Sequence, residues 1–239
     1  MAIVLHGLVG PATAPSSYRQ DHWLLSVGGL SAIVSLHDPA LSQDDVPEQM
    51  LIRAALAHND ILMAYAAKVA IVPVRYGAIF STEALLISHV AAGAADYGKT
   101  LARLDGMLEY AVALTVAEPV RKVAEMPAPT SGRSFLQARR AARVGRETLS
   151  QDRRSFAAGL VDAMAPWISA HRYAARPRAG RVLDASVLVA RGDGDGFAAR
   201  AAEITNTASP LGLTLSVTGP LPPYSFTDAV SGQEPDDVA

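Results

Sequence analysis

Hydrophobic and polar positions along this chain switch repeatedly between a strand-like and a helix-like period. Residues 2–9 form an apolar run that predicts a buried strand. Two short apolar runs, Trp23–Val27 and Leu30–Leu36, flank Gly28 and Gly29. Both glycines can take positive φ, so the pair predicts a hairpin of antiparallel strands. Over residues 47–69 the spacing becomes helical, with Leu51, Ala55, Leu62 and Tyr65 near one face, Asp44 or Asp45 available as a cap, and Pro47 suited to the first turn. Residues 69–80 read as one strand in which Pro73 requires an edge or a bulge. A helix over 82–104, capped by Ser81, and a strand over Met107–Val116 complete the first half.

Residues 117–133 hold three prolines and a Ser-Gly pair with little periodicity, and read as a linker. Beyond them Phe135, Ala138, Ala142, Leu149, Phe156, Leu160 and Trp167 recur at sums of three and four, which predicts one long amphipathic helix or two in series, ended by residues 176–180. A strand over 182–190, a short helix over 197–207 and a strand over 211–217 follow. The next stretch, VTGPLPPYSF, carries Pro220, Pro222 and Pro223 with Tyr224 and Phe226. Proline fixes φ and removes a donor, so the stretch is expected neither to continue a sheet nor to begin a helix, but to run as a stiff ribbon that pins the C-terminus on the protein's own surface; the competing reading is an exposed proline-rich peptide that docks into a partner's aromatic groove. Asp228, Glu234, Asp236 and Asp237, with no basic residue among 227–239, read as a solvated acidic tail.

Strands and helices interleave in both halves, and the hairpin favours antiparallel or mixed sheets. The chain is therefore expected to be α+β in two domains: 1–118, a linker over 119–133, 134–226 with the long helices, and a disordered tail over 227–239. With 239 residues, half of them hydrophobic and 18% charged, it has ample material for two cores. The net charge of −2 gives no general attraction to nucleic acid or to an anionic membrane. The absence of cysteine removes disulfides, thiolate nucleophiles and cysteine metal sites. The apolar N-terminus lacks a basic leader, and no run approaches the roughly 18 apolar residues of a membrane helix.

Candidate chemistry is sparse. His6, His22, His37, His58, His89 and His171 show no metal-ligand spacing. His58, near the apolar face of the first long helix, suits a backbone-bonded core-margin histidine better than a proton carrier. In RGDGDGF, residues 191–197, the alternating acids resemble part of a calcium loop, but the completing acid falls at Thr205 or its neutral neighbours. The stretch reads instead as a turn in which Asp193 or Asp195 caps a helix at Phe197. No GxGxxG, phosphate-loop lysine or GxSxG motif occurs. From Arg133 to Arg154 seven arginines stand against two acids, and Arg139, Arg146 and Arg153 are seven apart on one stripe. That stripe could hold phosphate or an acidic partner, but it suits better a solvated face opposite the apolar stripe, since it lacks the stacking aromatics of nucleic-acid modules. No catalytic residue, metal or cofactor is assigned.

Three blocks together resemble the gas vesicle protein L/F family. They are LAHNDILMAYAAKVAIVPVRYGAIF (56–80) with LARLDGMLEYAVALTV (101–116), then SGRSFLQARRAAR (131–143), and lastly VTGPLPPYSF, close to the family form TGPWPPYSF. Leu221 and Tyr110 stand where the family often has tryptophan, and Tyr76 where it has phenylalanine. The resemblance implies two domains of modified ferredoxin-like type and a non-enzymatic assembly protein, cytoplasmic and at the gas vesicle. Such a protein binds the hydrophobic major shell protein, gas vesicle protein A, along with other accessory proteins, prevents its aggregation and helps to nucleate the shell; neither nucleic acid nor membrane is a partner. The strand over 69–80 is the candidate contact, through Arg75, Tyr76 and Phe80, by burial of apolar surface or by strand addition. The competing reading is a ferredoxin-like small-molecule sensor.

Overall fold

A computed structural model describes residues 2–11, 22–42, 45–117, 132–175, 178 and 180–227. The strands are β1 (Ile3–Val9), β2 (Trp23–Val27), β3 (Leu30–Leu36), β4 (Ile71–Pro73), β5 (Ile79–Phe80), β6 (Met107–Val116), β7 (Ala170–Tyr173), β8 (Arg181–Ala190) and β9 (Leu213–Leu221). The helices are α1 (Glu48–Ala66), α2 (Glu83–Leu104), α3 (Gly132–Ala163) and α4 (Gly194–Ala208). The protein is α+β. Its strands form two sheets, ordered β2-β3-β1-β4 with β5 also on β1, and β7-β8-β6-β9. The chain divides into two compact units: Met1–Glu109 with Pro220–Ala239, and Tyr110–Gly219. The division falls inside β6 and β9, whereas the sequence places it at a linker after residue 118. Most of that linker, and the tail beyond Thr227, lie outside the described residues.

In the first unit the hairpin forms as predicted: β2 and β3 pair antiparallel from Trp23–Val34 to Val27–Leu30, with Gly28 and Gly29 at φ 59° and 82° in the turn. β1 is buried along its whole length at the centre, paired antiparallel with β3, β4 and β5. Its register on β3 slips between Leu5 and Gly7, which leaves His6 as the extra residue of a β-bulge. The slip changes the phase of the strand. Ile3, Leu5 and Leu8 join the cluster beneath α2, with Val27, Val34, Leu86, Val90 and Leu101, while His6 and Gly7 turn together toward α1. A side chain at Gly7 would stand 2.9 Å from Leu62 Cδ2 and from the Val72 carbonyl, so only glycine lets α1 and β4 close over that point.

The second unit orders its elements as β6-α3-β7-β8-α4-β9. Alternate residues of β8, namely Leu183, Ala185, Val187 and Val189, meet Val112 and Leu114 of β6, Leu160 and Met164 near the end of α3, and Phe197, Ala201 and Ile204 of α4.

Several expectations are corrected. The strand over 69–80 breaks into β4 and β5 around a turn at Tyr76 and Gly77, and Pro73 sits on the outermost strand, where its missing donor is tolerated. Thr82, not Ser81, caps α2, accepting the Leu85 N–H at 3.3 Å. Pro47 rather than Asp45 occupies the N-cap of α1, without a side-chain cap, and α4 begins at Gly194, three residues early, with Asp193 at its N-cap position but making no side-chain capping bond. α3 is one helix, and Trp167 belongs to a 3-10 turn after it. The four residues of β7, too short and polar to register as a strand, were not anticipated. β9 continues through Pro220 to Leu221 because it lies at a sheet edge, and a 3-10 turn, Tyr224–Phe226, follows.

Candidate partner-binding surface

The bulge in β1 aims His6 at α1, where it meets His58 with Nδ1 to Nδ1 at 2.8 Å. His58 Nε2 lies 2.9 Å from the Val74 carbonyl, which can only accept, so Nε2 carries the proton and Nδ1 accepts from His6. His6 Nε2 in turn accepts from the Ser35 hydroxyl at 2.8 Å. A chain of three hydrogen bonds thus ties β3, β1, α1 and the residue after β4 through two imidazoles that are 4% and 2% exposed. The bland reading of His58 holds: it is a backbone-bonded core residue. Its partner His6 escaped the sequence, because a bulge leaves no mark in an apolar run.

Burial pushes the His58 pKa below the ordinary histidine value, with the Val74 carbonyl acting weakly the other way. The unfolded chain protonates His58 near pH 6.5, the folded chain only at lower pH. Stability is therefore full above about pH 6.5 and falls below it, by at most about 1.4 kcal/mol per pH unit for one proton. Urea titrations between pH 8 and pH 5 are expected to show this slope, and His58→Gln to lower stability at pH 8 while flattening it. An unchanged slope in the variant would show that other groups cause it.

Above the histidines lies the loop between β4 and β5. Arg75 and Tyr76 are exposed here, in the turn and not in a strand, and the Tyr76 ring stands edge-on to His58 at 5.6 Å. Phe80 is different. It is 6% exposed, packs in the cluster beneath α2 against His89, and is not offered to a partner. The apolar surface beside Tyr76 comes from α1. His58, Ala55 and Leu51 lie one above another at helical spacing, and no residue of the first turns, 48–57, is buried. In MLIRAALA, residues 50–57, the one polar side chain is Arg53, and Ile52 and Leu56 are 50% and 59% exposed. Of the four residues that the helical spacing places near one face, Leu62 and Tyr65 are buried, Ala55 is half-buried and Leu51 is exposed.

From Pro220 onward the C-terminal stretch belongs to the first unit. Pro220 is exposed in β9, Pro222 and Pro223 are buried, and Phe226 is 1% exposed. Ser225 donates its N–H to Glu109 Oε2 at 2.8 Å and its hydroxyl to Oε1 at 2.6 Å. The Arg103 guanidinium donates to the Phe226 carbonyl. Burial, and then the charge of Glu109, raise the Tyr224 pKa to about 12, so its phenol stays neutral. Glu109 is itself buried, and sequence reasoning missed it; the signal was a lone acid inside the apolar strand LEYAVALTV. Among the described residues no three His, Cys, Asp or Glu side chains gather as a metal site would require.

A family model for the gas vesicle synthesis protein GvpL/GvpF matches residues 14–228. The chain belongs to this family. Its structure is similar to the crystal structure of gas vesicle protein GvpF from Anabaena sp. PCC7120, at 14% identity and a TM-score of 0.68, and to that of GvpF from Microcystis aeruginosa, at 13% and 0.68. Each likeness covers 95% of this chain and 98% of the other, and at such identity it is a likeness of fold. No curated protein matches the chain. In this GvpL/GvpF member Tyr110 packs its ring 4.9 Å from that of Phe197. No helix among the described residues is long and apolar enough to cross a membrane.

Proposed function

We propose that this protein is an assembly factor that binds the major shell subunit of the gas vesicle, keeps it from aggregating and helps to start the shell, without catalysing a reaction. A wall that excludes liquid water is made of subunits with large apolar faces, and such faces associate indiscriminately until covered. The observation that carries the reading is the bare apolar start of α1, with Tyr76 and Arg75 beside its lower end. Covering what remains exposed of Ile52 and Leu56 gains about 1 kcal/mol each. Strand addition is the lesser route, since β4 offers three residues, one of them a proline that donates nothing. The site of action is the growing vesicle in the cytoplasm, among the shell protein and other accessory proteins.

The test is dilution of the denatured shell subunit into buffer while light scattering is followed. Equimolar addition of this protein is expected to suppress scattering, and an inert protein of similar size is expected not to. Equal scattering in both would contradict the proposal.

A further inference from the structure

The second unit carries an unpartnered helix face whose chemistry names its occupant. α3 has 32 residues, yet the side chains it buries begin at Ala157. Residues 132–152 make about 31 Å of helix, and among their described side chains only Ala138 and Leu149 are even partly covered. That length holds a large apolar load for a solvated helix, with Phe135 45% and Leu136 58% exposed. It is also unfavourably composed to stand alone, because Gly145 lies mid-helix and like charges crowd it.

The pattern is that of a coiled-coil strand. Phe135, Ala142 and Leu149 recur every seven residues, and Ala138 and Gly145 fall three after the first two, so the five form one seam with small residues where a partner backbone would come close, ended by Asp152 three after Leu149. Arg139 and Arg146 follow the same repeat one position further round, at the flank where coiled-coil strands exchange ion pairs. Both are exposed, and the Arg139 guanidinium stands 5.8 Å over the Phe135 ring, at the border of the seam. Arg153, third in the repeat, is already engaged, donating to the Leu211 carbonyl at 2.7 Å where the helix joins its unit. The opposite flank, Ala141 and Thr148, is uncharged.

We infer that residues 132–152 of α3 are the docking site for an acidic amphipathic helix of another protein, packed along the Phe135–Ala142–Leu149 seam with its carboxylates on Arg139 and Arg146. A second copy of this chain is a poor occupant: antiparallel pairing sets arginine against arginine, and parallel pairing sets arginine against alanine or threonine. Nucleic acid is a poor one as well, since the arginines border an apolar seam and Phe135 is the one aromatic residue in 132–152, too few for a stacking platform. This site is separate from the α1 surface, and its failure would leave the shell-binding proposal standing.

The experiment uses the full-length protein and two labelled helical peptides of about four heptads. Each has leucine and alanine at the seam; one has glutamate at both flanks, its twin lysine. Fluorescence anisotropy is expected to show the acidic peptide bound at least about tenfold more tightly than the twin, and severalfold more weakly at 0.5 M than at 0.05 M salt. Arg139→Glu with Arg146→Glu is expected to reverse the preference, and Phe135→Ser with Leu149→Ser to remove binding of both peptides at an unchanged melting temperature. Equal affinity for the twins, or no binding of either, would overturn the inference. So would tighter binding of a short DNA duplex or single strand, or self-association lost in the Phe135 and Leu149 variant.

Discussion

Replacing Phe226 with alanine is expected to lower stability by about 3–5 kcal/mol, roughly 10 °C or more in melting temperature. The ring is among the most deeply buried side chains, so its loss removes both transfer energy and packing. The residues around it magnify the effect, because the 3-10 turn Tyr224–Phe226 is held at both ends. Ser225 satisfies both oxygens of the buried Glu109 carboxylate, and the Phe226 carbonyl is held by Arg103. Displacing the turn strands a buried acid without its donors, which costs more than losing one surface contact. Glu109→Gln isolates that part: its amide NH2 faces one of the two Ser225 donors, and a loss of about 1–3 kcal/mol is expected. Thermal melts of both variants provide the check. Tyr224→Ala with Phe226→Ala leaving the melting temperature unchanged while partner binding disappears would make the segment a docking peptide instead of a pin.

A loss of partner binding without loss of fold is expected from Ile52→Asp with Leu56→Asp. Both side chains are exposed on the first turns of α1, so the fold should change by no more than about 0.5 kcal/mol per site. A central apolar anchor turned into a charge weakens association by about 2 kcal/mol or more, roughly 30-fold. Calorimetry of the variant with the refolded shell subunit measures it. A variant that binds as well as the parent chain would remove α1 from the contact.

The parts of the fold that were legible in advance are those set by local rules. Gly28-Gly29 announced the hairpin, and the three-four spacing from Phe135 announced α3. The interruption at residues 74–78 was hidden because the run stays largely apolar on both sides of it, so periodicity had nothing to mark. Both polar constellations were hidden for a different reason. His6 and His58 are 52 residues apart, and Glu109 and Ser225 are 116 apart, and each pair exists only because tertiary structure closes the distance. Phe80 was misjudged because an aromatic in a strand reads the same whether it faces a core or a partner. The exposed start of α1 could have been noticed: MLIRAALA is apolar on every face but one, which a half-buried helix does not need.

The claim that α1 offers its bare apolar turns to the shell subunit is tested most directly by a photo-reactive amino acid at position 56, cross-linked in cells that are building vesicles. The account predicts that the shell subunit is captured from position 56, and that the same group at Lys99, an exposed site on α2, captures far less. Capture of the shell subunit from position 99 with none from position 56 would contradict it.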